Sequence, residues 1–289
     1  MRTDNRKADE TRTVKITTGF ISSADGSVLI EMGNTRVICN ATLLPEVPAW
    51  LAGKGRGWIT AEYSLLPQST GKRVERERKG ASGRTQEIQR LIGRSLRGSA
   101  DLNLLGENAI VVDCDVIQAD GGTRTASVIG GFVALALALQ KIKPRLGIDA
   151  QILKHAVTAI SVGVVHGEPL LDLCYVEDSA ADVDMNIVMR DAKTFIEIQG
   201  TGEHADFDRR TLDALIALGE KACREIYPLQ MQAIGNALPE IRPLSVTPSF
   251  SMPDAFGKYT PMSAKYGKAD GRTPCEFFCK WLREKWLWN

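Results

Sequence analysis

Between positions 118 and 125 the chain reads Gln-Ala-Asp-Gly-Gly-Thr-Arg-Thr. Two glycines let a backbone approach an anion closely, and a helix starting just after them aims its N–H groups and positive dipole end at the same point. Thr123 and Thr125 add hydroxyls, and Arg124 adds a planar fork suited to a phosphate. The segment is neither a Walker loop, lacking Gly-Lys-Ser/Thr, nor a dinucleotide fingerprint, lacking GxGxxG. Alone it reads more readily as a glycine turn with a threonine cap. A second arginine in a similar setting, Ser82-Gly83-Arg84-Thr85, favours chemistry. Two arginines at two helix starts can grip one phosphate from both sides.

The segment from Glu177 to Asn186 carries four acids, Glu177, Asp178, Asp182 and Asp184, among small residues. Such a cluster is costly unless a cation neutralises it or water solvates it. The spacing lacks the glycine pivot and terminal glutamate of a calcium loop. One or two carboxylates holding magnesium beside substrate phosphates fit better, and a solvated acidic turn is the alternative. His155, His166 and His204 are dispersed, with no metal spacing and no Ser-His-Asp context, so nucleophilic hydrolysis has little support. Cys275 and Cys279 have no second Cys/His pair nearby and do not make a zinc site.

The elements that must position these groups follow from the pattern. Residues 13–21 and 27–31 alternate around Ala24-Asp25-Gly26, a hairpin; strand-like runs follow at 36–42 and 57–63. Residues 66–83 are polar and glycine-punctuated, a long loop. From Thr85 an apolar stripe of Ile88, Leu91, Ile92 and Leu96 predicts a helix with its arginines on another face. Residues 109–118 form a strand whose Asp113 and Asp115 share a side, and 124–142 a nearly all-apolar, hence buried, helix. Strands are expected at 156–165, 170–176, 186–189 and 194–199, and an amphipathic helix at 207–227. After Pro228 six prolines within 228–263 break the pattern. The reading is a domain over 1–227 and a Pro-rich, poorly ordered extension over 228–289 that ends in a short aromatic helix.

The 289 residues are 44% hydrophobic and 25% charged, as in an ordinary globular chain, which excludes global disorder and fibrous classes. The longest apolar stretch, 128–139, is too short to cross a bilayer, and the charged start MRTDNRKADETR is not followed by a signal-like apolar region. Six scattered cysteines suit reduced thiols in the cytoplasm. The net charge of +1 hides an asymmetry: nine Lys/Arg against three Glu over 72–97, and eight acids against two bases over 178–208. The first suits a polyanion and the second divalent cations, unless both are merely solvated faces.

Four blocks are shared, in order, with one family. Gly57-Trp58-Ile59-Thr60-Ala61-Glu62-Tyr63, Gly83-Arg84-Thr85-Gln86-Glu87-Ile88-Gln89-Arg90-Leu91-Ile92, the block from Asp113-Cys114-Asp115 to Thr123-Arg124-Thr125-Ala126-Ser127, and Tyr175-Val176-Glu177-Asp178-Ser179-Ala180-Ala181 resemble ribonuclease PH. The likeness runs from about Arg2 to Tyr227. It implies a mixed α/β (α+β) fold of two βαβα-type halves with mixed sheets and covering helices. It implies a phosphorolytic 3′→5′ exoribonuclease, or tRNA nucleotidyltransferase, acting on tRNA precursors and other RNA. Inorganic phosphate attacks the terminal phosphodiester and a nucleoside diphosphate is released. Position by position, the resemblance assigns Arg84, Gly122, Thr123 and Arg124 to phosphate, Asp178 and Asp184 to catalysis and Mg2+, and Arg73 and Arg76 to tRNA. An acid is also usual at Asp182. It further implies a homohexameric ring of dimers. The loop over 71–83 is shorter than the family's, and the chain after Tyr227 matches nothing in it. A catalytically silent RNA-binding ring subunit of an exosome-like assembly is the alternative, as is a hydrolytic magnesium nuclease.

Overall fold

In the computed structural model residues 2–235 are described, all within one compact unit, Met1–Leu244. The expectations for the Pro-rich extension, Cys275, Cys279 and the aromatic terminal helix therefore lie outside the described residues. The order is β1 (Val14–Thr18), β2 (Gly26–Met32), β3 (Thr35–Leu44), β4 (Trp58–Leu65), α1 (Gly83–Arg97), β5 (Ala109–Gln118) and α2 (Thr123–Leu146). The second half follows as β6 (Val157–Val165), β7 (Glu168–Leu171), α3 (Tyr175–Asp178), β8 (Val183–Arg190), β9 (Thr194–Gly202) and α4 (Arg209–Ile234).

The first sheet has the order β1-β2-β3-β5-β4, antiparallel except for β4 alongside β5, whose parallel pairing needs α1 as its crossover. The second sheet, β7-β6-β8-β9, is antiparallel throughout. Alternation decides which face of the first sheet is covered: Val28, Ile30, Val37, Cys39, Val112, Cys114 and Ile59 point inward at zero or near-zero exposure. β6 is buried at all nine positions, as a central strand covered on both faces must be. α2 packs on β2 and β3 on one side and on β6 on the other, which is why its sequence is apolar all round. It is long and apolar enough to cross a membrane, but 83% of that apolar window is buried inside the protein.

Three sequence expectations are corrected. The strand predicted over 170–176 ends at Leu171, because Asp172 takes a left-handed conformation (φ 54°) and the chain then turns into one helical turn, α3. The acidic segment is accordingly only in part the solvated turn of the alternative reading: Asp178 closes α3, Asp184 sits inside β8, and residues 179–182 turn between them. The last helix does not stop at Tyr227 but runs through Pro228 to Ile234, since Tyr227, Gln230 and Ile234 prolong its buried stripe. The buried Gln230 bonds Thr158 and the carbonyls of Ile129 and Val157. Those tertiary contacts outweigh the backbone bond lost at the proline. Residues 228–234, expected in the extension, are therefore part of α4.

Candidate active site

One cleft of about 390 Å³ is lined by Arg84 and Glu87 from α1, Arg124 from α2, Asp178 and Ser179 at the end of α3, and Ala181. Asp184 and Asn186 from β8, Gln199 and Thr201 from β9, and Glu203 and His204 complete it. Residues 100 positions apart in sequence meet here because α1 and α2 both begin at the edge where the second sheet presents β8 and β9.

Arg84 is the second residue of α1. The Ser82 side chain caps that helix by accepting from Thr85 N at 3.2 Å, and Glu77 of the preceding loop accepts from the Thr85 hydroxyl at 2.9 Å. The Arg84 guanidinium forms no ion pair with any described residue and stays open to a ligand. α2 begins at Gly122 in the left-handed region (φ 64°), and no side chain caps it. Its first-turn N–H groups are therefore available to an anion. Gly121 is required for a different reason: a Cβ there would overlap the backbone of Leu173 and Cys174. Arg124 follows at once, only 16% exposed, its Nη1 3.4 Å from Gln199 Oε1 and 3.7 Å from Glu87 Oε1. Gln199 in turn donates to Glu87 at 2.5 Å. This relay aims the guanidinium into the cleft. Gly122 and Thr123 do not line the cleft; they shape the turn behind Arg124, with the Thr123 hydroxyl 2.8 Å from Tyr63 OH.

The two aspartates face these cations. Burial pushes the Asp184 carboxyl up to about 6, with Asp178 and Glu203 adding repulsion and Arg124 and Arg84 opposing it. Burial raises Asp178 too, against the pull of the same two arginines. Among the described residues there is no cluster of three or more His, Cys, Asp or Glu arranged as a metal site. Asp182 does not line the cleft; its main-chain carbonyl accepts from the N–H groups of Glu203 and His204. Glu177, the fourth acid of the segment, turns away. Burial works to raise its carboxyl, but hydrogen bonds from Arg2 at 2.7 Å and from Cys174 N hold it below the usual range. Arg73 and Arg76 stand outside the cleft, exposed on the stretch between β4 and α1, with no ion pair to any described residue.

Sequence reasoning missed the clip that locks these parts together. Arg12 donates three hydrogen bonds to the fully buried Asp172 carboxylate, two from its side chain and one from its backbone. The other guanidinium edge reaches the carbonyls of Asp120 at 2.5 Å and Gly121 at 3.4 Å. Asp120 accepts from Tyr175 N at the start of α3. The first twelve residues thereby tie the phosphate-type turn to the helix bearing Asp178. The arginines of that segment were visible in the sequence; their partners, some 160 to 175 residues away, were not.

Residues 10–139 match the 3′ exoribonuclease family, domain 1, and residues 155–222 match domain 2 of the same family. A ribonuclease PH from Syntrophomonas wolfei is 55% identical over 236 residues, covering 81% of this chain and 99% of that protein. One from Bdellovibrio bacteriovorus is 52% identical over 236 residues, covering 82% and 97%. The chain belongs to the ribonuclease PH family. As a family member it is a phosphate-dependent 3′→5′ exoribonuclease with the tRNA nucleotidyltransferase reaction as its reverse. The ribonuclease PH fold is recovered at much lower identity: a structure titled as the Archaeoglobus fulgidus exosome with RNA bound to the active site superposes with a TM-score of 0.66 at 22% identity, covering 79% of this chain and 92% of that one. The silent-subunit alternative gains nothing from this, since both arginines and both aspartates meet in one ribonuclease PH cleft.

Proposed function

We propose that this cleft carries out phosphorolysis at the 3′ end of tRNA precursors and other RNA. Arg84, Arg124 and the uncapped start of α2 hold inorganic phosphate, and Gly122 and Thr123 supply the turn. The observation that carries the reading is the convergence of two arginines, at two helix starts, on two aspartates. A phosphate oxygen attacks the terminal phosphorus, the bond to the upstream 3′ oxygen breaks, and that oxygen takes the proton of monohydrogen phosphate. A nucleoside diphosphate and a shortened RNA result. No side-chain base is needed, because the nucleophile is already an anion.

Asp178 and Asp184 are the groups that would hold Mg2+. The donor set fits, since magnesium takes one or two carboxylates and completes its shell with water and substrate phosphates. When bound, it supplies neutralisation of charge gathering on the phosphoryl oxygens. The rest is positioning by this chain: Gln199 and Glu87 orient Arg124, Ser82 and Glu77 fix the start of α1, and the Arg12–Asp172 pair holds the turn against α3. Arg73 and Arg76, exposed between β4 and α1, are the side chains expected to meet the body of the tRNA.

A homohexamer, the ring of dimers that the resemblance implies, is part of the same proposal. Exposed Phe20, Leu44, Trp50 and Phe195 support it as apolar surface available to other copies. A cytoplasmic location is proposed too, and the four free, buried cysteines Cys39, Cys114, Cys174 and Cys223 suit a reducing compartment. The test is direct: tRNA with extra 3′ nucleotides is incubated with and without phosphate. Nucleoside diphosphates formed only with phosphate support the reading. Monophosphates formed without phosphate would make it a hydrolase, and binding without product a silent subunit.

A further inference from the structure

Asn186 stands two residues beyond Asp184, on the same face of β8, and lines the cleft. The residue is only 4% exposed, and its amide, on the cleft wall, makes no hydrogen bond with any described residue. An amide on the cleft wall that is committed to no protein group is free to meet a ligand there, and the buried unpartnered atom of this row is the neighbouring Ser161 hydroxyl. The neighbours narrow the use. Across the ladder Asn186 is paired with Gln199 on β9 and with Ser161 on β6. Gln199 is committed to Arg124 and Glu87. Ser161 has a buried hydroxyl that is likewise without a partner, and it faces the turn at Gly122. The row Ser161–Asn186–Gln199 thus runs from behind the phosphate-type turn to the residue that aims Arg124; Asn186 and Gln199 line the cleft, and the Asn186 side chain hydrogen-bonds to no described residue.

We propose that Asn186 is a further phosphate-binding residue of the reaction, its amide Nδ2 donating to a non-bridging oxygen of the attacking phosphate between Arg124 and Asp184. The inference rests on the phosphorolysis reading. A neutral donor suits that position: it meets the phosphate oxygen nearest the Asp184 carboxylate without adding charge to a lining that already holds two arginines and four acids.

The experiment compares Asn186→Ala, Asn186→Asp and Arg124→Ala. It measures initial rates against phosphate concentration on 3′-extended tRNA, and melting temperature titrated with inorganic phosphate in the absence of RNA. Asn186→Ala is expected to melt close to wild type without phosphate, because it breaks no hydrogen bond within the described residues. It should raise the KM for phosphate about 10- to 100-fold and shrink the phosphate-induced rise in melting temperature. Asn186→Asp should be worse still, through repulsion of the phosphate. A normal phosphate KM in Asn186→Ala beside a raised one in Arg124→Ala overturns the proposal and leaves the phosphorolysis site standing. Wild-type activity in Asn186→Asp, with a lower Mg2+ requirement, also overturns it and makes the position a metal ligand. If Arg124→Ala too leaves the phosphate KM unchanged, the reading of the cleft itself fails.

Discussion

Asp184→Asn should make the protein more stable while stopping its chemistry. In the folded chain the Asp184 carboxyl is raised from 3.8 to about 6, chiefly by burial and then by Asp178. A carboxyl that binds its proton more tightly when folded costs nothing at pH below about 4. It costs progressively more as pH rises through about 6, and a constant amount above. At 1.36 kcal/mol per pKa unit the cost at pH 8 is about 3 kcal/mol. The amide cannot ionise, so the variant escapes it. For a domain of this size that amounts to about 6–12 °C in melting temperature. Melting curves at pH 5 and pH 8, in chelator, for wild type and Asp184→Asn provide the assay. The gap at pH 5 should be about half of that at pH 8, about 1.6 against about 3 kcal/mol. Mg2+ should then raise the wild-type midpoint and leave the variant's unchanged, while phosphorolysis by the variant falls about 100-fold or more. A variant that melts lower than wild type at pH 8, or a gap independent of pH, would refute the reasoning that this carboxylate serves function at the expense of the fold.

Arg84→Ala and Arg124→Ala should each raise the phosphate KM by about 10- to 100-fold, the worth of a charge-assisted hydrogen bond of roughly 1.5–3 kcal/mol, with RNA affinity little changed. Unaltered phosphate dependence in both would remove the arginine clamp. Combined Arg73→Ala and Arg76→Ala should flatten the log–log salt dependence of RNA binding by up to about two units, at roughly 0.7–0.9 per lost phosphate contact. An unchanged slope would place RNA elsewhere. Asp172→Asn strips the partner from a buried guanidinium and should destabilise by about 3–5 kcal/mol. The milder Thr35→Val, which loses the hydroxyl bonds to Gly121 O at 2.6 Å and from Asp120 N at 3.0 Å, should stay folded and raise the phosphate KM. If Thr35→Val keeps a normal KM at reduced stability, the clip around the turn is structural only.

What the sequence determined by itself is what is local in the chain. The strand over 109–118 was legible to the residue because alternation and the Ala119–Gly122 break leave no other reading. The apolar run after Thr123 announced a core helix, and a glycine pair at a helix start announced an anion turn, since both depend on neighbours a few residues apart. The paired acids and arginines were visible as types, and the family resemblance supplied their roles. Only the tertiary structure decided which of them meet. Glu177 and Asp178 are adjacent and both acidic, yet one is drawn to Arg2 and the other faces Arg124, because α3 turns their side chains opposite ways. Asp172 ends a strand that its sequence would continue, because Arg12 seizes it from 160 residues away. Pro228 fails to end α4, because Gln230 finds partners on α2 and β6. In each case the local preference is worth about 1–3 kcal/mol, and a buried charge or amide that must find its partner is worth as much or more.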